Sequence, residues 1–346
     1  MKKVLLLFIL VFLTFIPVNA AEFTAPPAPD SALEYLPEDT DSFADGLWYV
    51  FRTALGKFQP SITKACGVCL SIIAVNLLTS VASHFTGTAK RTISLVGTVV
   101  SGVILFQATG TLVHLGVDTV NELNEYGKLL LPVMSAAVAA QGGVTTSSML
   151  YAGTAAFMAI LTTAITKLLV PMVYIYLCLS IAVGALGDQT LKSLQGSVKW
   201  LMTWTLKIIL YIFTGYMAIT GVISGTTDAA TLRAAKLTIS GAVPVVGGIL
   251  SDASEAVLVS AGLMKNSVGI YGLLAIMALW IGPFLQIGVQ YLLLKLTAGV
   301  CSSFGSKETS GVVGAFSSSM GFILAMTGAI CIMILVSTVC FMRGVG

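Results

Sequence analysis

Residues 267–300 read SVGIYGLLAIMALWIGPFLQIGVQYLLLKLTAGV, thirty-four positions with a single charge, Lys295. As one helix this run would measure about 50 Å at ~1.5 Å per residue, against roughly 30 Å of bilayer hydrocarbon. It is therefore either a helical hairpin broken at Pro283 or one long, tilted and kinked helix that protrudes. Residues 148–186, apolar but for Lys167 and Pro171, pose the same choice. Around these two lie further apolar runs at 65–85, 93–117, 129–141, 200–224, 241–263 and 311–342. The reading is an all-α polytopic membrane bundle of six to eight spans.

Composition agrees. The 346 residues are 56% hydrophobic and 10% charged, where a soluble domain carries about 25% charge. A chain so poor in charge has lipid as its main solvent. The net charge of +3 falls to +1 without Lys2 and Lys3, which is no nucleic-acid footprint.

The N-terminus has the layout of a secretory signal: basic Lys2-Lys3, an apolar stretch from Val4 to Ile16, and small residues up to Ala20. Cleavage is expected between Ala20 and Ala21, and an uncleaved first span is the alternative. Residues 22–45 are acidic and proline-rich, and they read as a flexible extracytoplasmic tail. Residues 47–60 read as an interfacial amphipathic helix, with Trp48 and Tyr49 suited to the headgroup level. The turn at Lys90-Arg91 belongs in the cytoplasm, and a loop bearing Asp118, Glu122 and Glu125 belongs outside, as the positive-inside rule asks. A second cytoplasmic loop carries Asp188, Lys192 and Lys199. The division is then 1–20 signal peptide, 21–60 tail and interfacial helix, 61–127 helical hairpin and 128–346 polytopic body.

Beyond Pro60 only Pro132, Pro171, Pro244 and Pro283 remain, and each pair is separated by 39 residues at a common offset of 112. Each pair consists of a short Pro-Val segment followed by a long, Pro-broken run. Either the body is a parallel duplication of units 128–239 and 240–346, a symmetry familiar in transporters, or two proline spacings coincide.

No constellation for catalysis is legible. His84 and His114 lack clustered ligands. The Gly299–Lys307 stretch fails the spacing of a phosphate loop. Cys66 and Cys69 open an apolar helix where i and i+3 share a face, and the other cysteines also sit in apolar runs. Neither cofactor nor metal is expected. Among charges inside apolar runs, Lys207 and Lys295 read as snorkelling side chains, with a pore-facing role as the alternative. Residues 241–255 stand out. Pro244, Gly247 and Gly248 cannot sustain a regular helix, and broken backbone at membrane depth survives only in protein or beside a cavity. With Asp252 and Glu255 on one helical face, the segment reads as a re-entrant element lining a conduit, or as a loop dipping into the interface.

The stretch 234–257, AAKLTISGAVPVVGGILSDASEAV, closely resembles the stage III sporulation protein AE family of endospore-forming bacteria. The likeness continues through 258–272 and is supported by the leader, the acidic N-terminal region and the polytopic body. The resemblance implies a permease-like membrane subunit of the stage III sporulation assembly, in the mother-cell membrane around the forespore. Its partners would be the other membrane subunits, and its work would be a channel or feeding tube that sustains late forespore gene expression. Family members carry no known catalytic residues, so the resemblance implies no enzyme. A stand-alone secondary transporter passing a small molecule is the other reading.

Overall fold

The computed structural model describes residues 25–37, 42–85, 89–140, 144–219, 267–304 and 307–343. Its α-helices are α1 (Asp30–Leu33), α2 (Phe43–Gly56), α3 (Gln59–Phe85), α4 (Lys90–Ala140), α5 (Val144–Ala164), α6 (Val170–Leu186), α7 (Gln189–Ile219), α8 (Ser267–Ser303) and α9 (Lys307–Arg343). A π-helical turn, Ile165–Leu169, joins α5 to α6. Among the described residues five helical stretches are long and apolar enough to cross a membrane: Gln59–Ser83, Lys90–Ala139, Ser147–Leu186, Val268–Ser303 and Lys307–Met342. The chain is an all-α membrane helical bundle.

Both awkward runs resolve as single protruding helices. At 144–186 the helix continues through Pro171, which lacks the N–H for an i→i−4 bond. The π turn just before it absorbs the misfit. Pro283 likewise sits inside an unbroken α8, and Pro132 inside α4.

The expected loop at 118–127 is not a loop. Helix α4 runs unbroken for 51 residues, about 76 Å. Its buried positions Val113, Val120, Leu123, Leu130, Met134 and Val138 keep a helical stripe across the charged stretch. Asp118, Glu122 and Glu125 occupy the other faces. Charge changes the solvent of a helix without ending it. The expected separate segment at 129–141 is the far end of this same helix.

A second loop is also shorter than read. Gly187, at φ +70°, closes α6 in the left-handed conformation that glycine adopts without strain, with its N–H on Val183 O at 2.9 Å. Asp188 follows and accepts the Thr190 N–H at 2.6 Å, so α7 starts at once and carries Lys192 and Lys199 on a helix.

Helix α4 lies antiparallel to α5–α6 along their whole length. Gly127 abuts Met158 at one end, and a methyl added at Gly102 would fall 2.8 Å from Ile181 Cγ1 at the other. Helix α9 runs parallel to α4, with Gly116 against Ile323 and the Thr98 and Thr309 hydroxyls 3.3 Å apart. Antiparallel α8 is tied to α9 by Ser310 Oγ to Ala298 O at 2.8 Å and Ser317 Oγ to Tyr291 O at 3.0 Å. Helix α9 is thus the axis of the bundle, its most apolar stretch 94% buried by its neighbours. Small residues let these backbones approach, as packing between helices in lipid requires.

The acidic N-terminal segment is docked over 25–37, contrary to the reading of a flexible tail. Ala28 and Ala32 are buried, and the Ala28 N–H reaches Tyr271 Oη on α8 at 3.4 Å. Helix α2 buries Phe43, Gly46, Val50 and Ala54 against α8 and exposes Trp48, Tyr49, Phe51 and Leu55. It is amphipathic as read, with its start moved back to Phe43.

Candidate functional site

The residues singled out by sequence fall in two groups. Ala20, Ala21, Pro244, Gly247, Gly248, Asp252 and Glu255 lie outside the described residues. Pro132, Pro171 and Pro283 lie within long helices, where Pro171 sets the π turn.

The structure adds a polar belt across the bundle, level with the charged turns of α4. On one side Ser31 Oγ donates to Glu122 Oε2 at 2.7 Å, and Lys57 pairs with Glu34 while its ammonium lies 5.4 Å from the centre of the Tyr35 ring. Burial, reinforced by the adjacent Glu34 carboxylate, raises the Tyr35 phenol above its ordinary range, and Lys57 opposes the shift. On the other side α4 and α5 enclose a cleft of about 310 Å³. Asn124, Lys128, Tyr151, Thr162 and Thr163 supply its polar groups, while Leu131 and Met158 supply apolar wall. Lys128 is held by Glu125 at 2.6 Å. The Thr162 hydroxyl is buried without a partner among the described residues. The cleft offers an amide, hydroxyls and an ammonium set in a mostly apolar wall.

Toward the Lys90 end the interior carries buried polar groups among apolar helices. Asn76, Ser101 and Thr109 have no side-chain partner among the described residues. Cys69 and Cys301 are buried, Cys66 is half-buried and Cys178 is exposed, all as free thiols. No group of three or more His, Cys, Asp or Glu that could hold a metal occurs among the described residues.

Helix α7 differs from the rest. Met202, Leu206, Phe213 and Met217 form its buried side, with Phe213 5.6 Å from Phe157 on α5. Lys192, Lys199 and Lys207 are exposed, spaced by seven and eight residues, and so share one face. Trp200 and Trp204 border that face, their rings 5.7 Å apart. Sequence reasoning had placed the first two lysines in a loop and so missed the stripe. Their spacing was the available signal.

Comparison with known proteins gives a consistent answer. Residues 42–344 match the family model of stage III sporulation protein AE. The chain is similar to stage III sporulation protein AE of Bacillus subtilis (strain 168), with 22% identity over 225 residues. That match covers 65% of this chain and 56% of the relative, so the chain spans just over half the length of the curated relative. No solved structure matches. The matched region takes in α2 through α9, the whole helical body described above, and the chain belongs to the stage III sporulation protein AE family.

Proposed function

We infer that the chain is a multi-pass subunit of a channel assembly between mother cell and forespore, seated in the mother-cell membrane and needed for sporulation. Family membership carries the sporulation role. The channel and its partners rest on the resemblance, and one structural observation favours them. A 51-residue helix of about 76 Å exceeds a bilayer's hydrocarbon by roughly 45 Å, so the bundle projects well beyond the membrane. A projecting bundle offers surface for partners across an intermembrane space. With Lys90 and Arg91 in the cytoplasm, the projection and the docked N-terminal segment lie on the outer side. The protein acts by assembly and by forming part of a conduit, without catalysis.

The test is co-purification of tagged full-length protein from sporulating cells, in mild detergent. Recovery with other membrane proteins of the same developmental stage is the expected result. Recovery as a lone species would favour the stand-alone transporter.

A further inference from the structure

Helix α6 fixes a depth scale for its neighbour α7. The residues from Leu168 to Gly187 are a charge-free run of twenty, flanked by Lys167 and Asp188, and as a helix they span about 30 Å, one hydrocarbon thickness. Helix α7 returns antiparallel along it. Gln195 Nε2 donates to Ser180 Oγ at 2.7 Å, and further on α7 continues along α5 at the Phe157–Phe213 contact. One turn beyond the Gln195–Ser180 bond, Lys199 is level with Tyr176, the middle of the charge-free run. By the same register Lys192 is level with Val183 and Lys207 with Leu168, toward the two ends.

The two outer lysines can reach the interfaces by extending along the helix, the ordinary behaviour of a lysine near a span's end. Lys199 cannot. It is about eight residues, roughly 12 Å, from the nearer boundary, about twice the reach of its side chain. Its side chain is exposed on the bundle surface, and no hydrogen bond, ion pair or aromatic contact to its ammonium occurs among the described residues. Lys295 on α8 makes the contrast: its ammonium lies 3.3 Å from Tyr291 Oη and 5.5 Å from that ring's centre. An unpartnered cation at the bilayer centre costs from a few to more than ten kcal/mol if lipid surrounds it. The cost disappears if that face of α7 is wet. Gly196 and Thr203, one turn to either side of Lys199, keep the stripe narrow and polar, whereas Leu201, Ile208 and Ile212 form a separate apolar face.

We propose that the Lys192–Lys199–Lys207 face of α7 lines a water-filled passage through the membrane and draws small anions into it. This deepens the conduit reading and rests on it. Three cations along one wall raise the local anion concentration and slow the passage of cations.

The experiment uses the full-length protein in its native membrane, in a variant lacking the six cysteines, with Lys199→Cys as reporter and Leu201→Cys as the lipid-side control. The probes are a sulfonate-bearing and a trimethylammonium-bearing methanethiosulfonate. The sulfonate reagent should modify position 199 at least about tenfold faster than position 201. Adding Lys192→Gln and Lys207→Gln should slow the sulfonate reagent several-fold without slowing the cationic one. Reaction at 199 no faster than at 201 overturns the proposal, and so does a rate indifferent to the flanking lysines. If Lys199→Cys fails to accumulate, Thr203→Cys on the same face, with all three lysines intact, reports in its place under the same criteria. The subunit reading fails separately, by lone recovery in co-purification, and labelling does not depend on that result.

Discussion

The junction Gly187-Asp188 shows how two residues set the direction of two helices. Gly187 ends α6 in a conformation that L side chains resist, and Asp188 begins α7 by accepting the Thr190 N–H. That bond, together with one from the Thr190 hydroxyl, holds the Asp188 carboxyl below its ordinary range. A carboxylate with a depressed folded pKa contributes stability that is present above its unfolded pKa and lost as pH falls through the folded value. The detergent-solubilised protein should therefore melt at progressively lower temperature as pH drops below about 4. Asn caps helices about as well as Asp and does not titrate. Asp188→Asn should match the parent near neutrality and lose less of its melting temperature in acid. An identical acid profile in both proteins would remove Asp188 from the account.

Among the elements, α4 and α9 depend on each other through glycine. A methyl at Gly116 would overlap the Ile323 side chain, whereas one at Gly110 meets nothing within 4 Å. Alanine at Gly110 should leave the melting temperature unchanged or raise it, since alanine favours helix over glycine by up to about 1 kcal/mol. Alanine at Gly116 should lower stability by about 1–3 kcal/mol, the usual range for overpacking a tight interface. Thermal melting in detergent reads both, and equal effects would refute the contact. Helix type and apolar identity were legible in the sequence because long charge-poor runs have no other stable form in lipid. Helix ends were less legible. Asp118, Glu122 and Glu125 looked like a loop, yet Val113, Val120 and Leu123 already carried the buried stripe through them. Lys192 and Lys199 misled in the same way, since a charge reports on what solvates a residue and not on whether the backbone stays helical. The docking of 25–37 was hidden for another reason: Ala28, Ala32 and Tyr35 bury too little apolar surface to stand out from an acidic stretch.

At the scale of the whole molecule, charge is layered along the bundle. The helix starts at Lys90-Arg91 and Lys307 and the junction at Asp188 lie at one end, whereas Glu122, Glu125 and Glu34 form a belt farther along. The positive-inside rule predicts that the first end is cytoplasmic. A membrane-impermeant thiol reagent applied to intact protoplasts should modify a cysteine at position 122 and spare one at position 90, in a background without the native cysteines. The opposite pattern would invert the molecule. Helix α9 gives this architecture a consequence in time. It is the axis around which α4, α5, α6 and α8 pack, yet every one of those partners precedes it in the chain. During synthesis the earlier helices enter the membrane around an empty centre, with Gly184, Tyr176, Tyr291 and Gly116 lacking the surface they will finally meet. The core of the bundle therefore closes late. A ribosome that stalls before residue 307 leaves a set of inserted helices with no core to close upon, ready for a quality-control protease to remove.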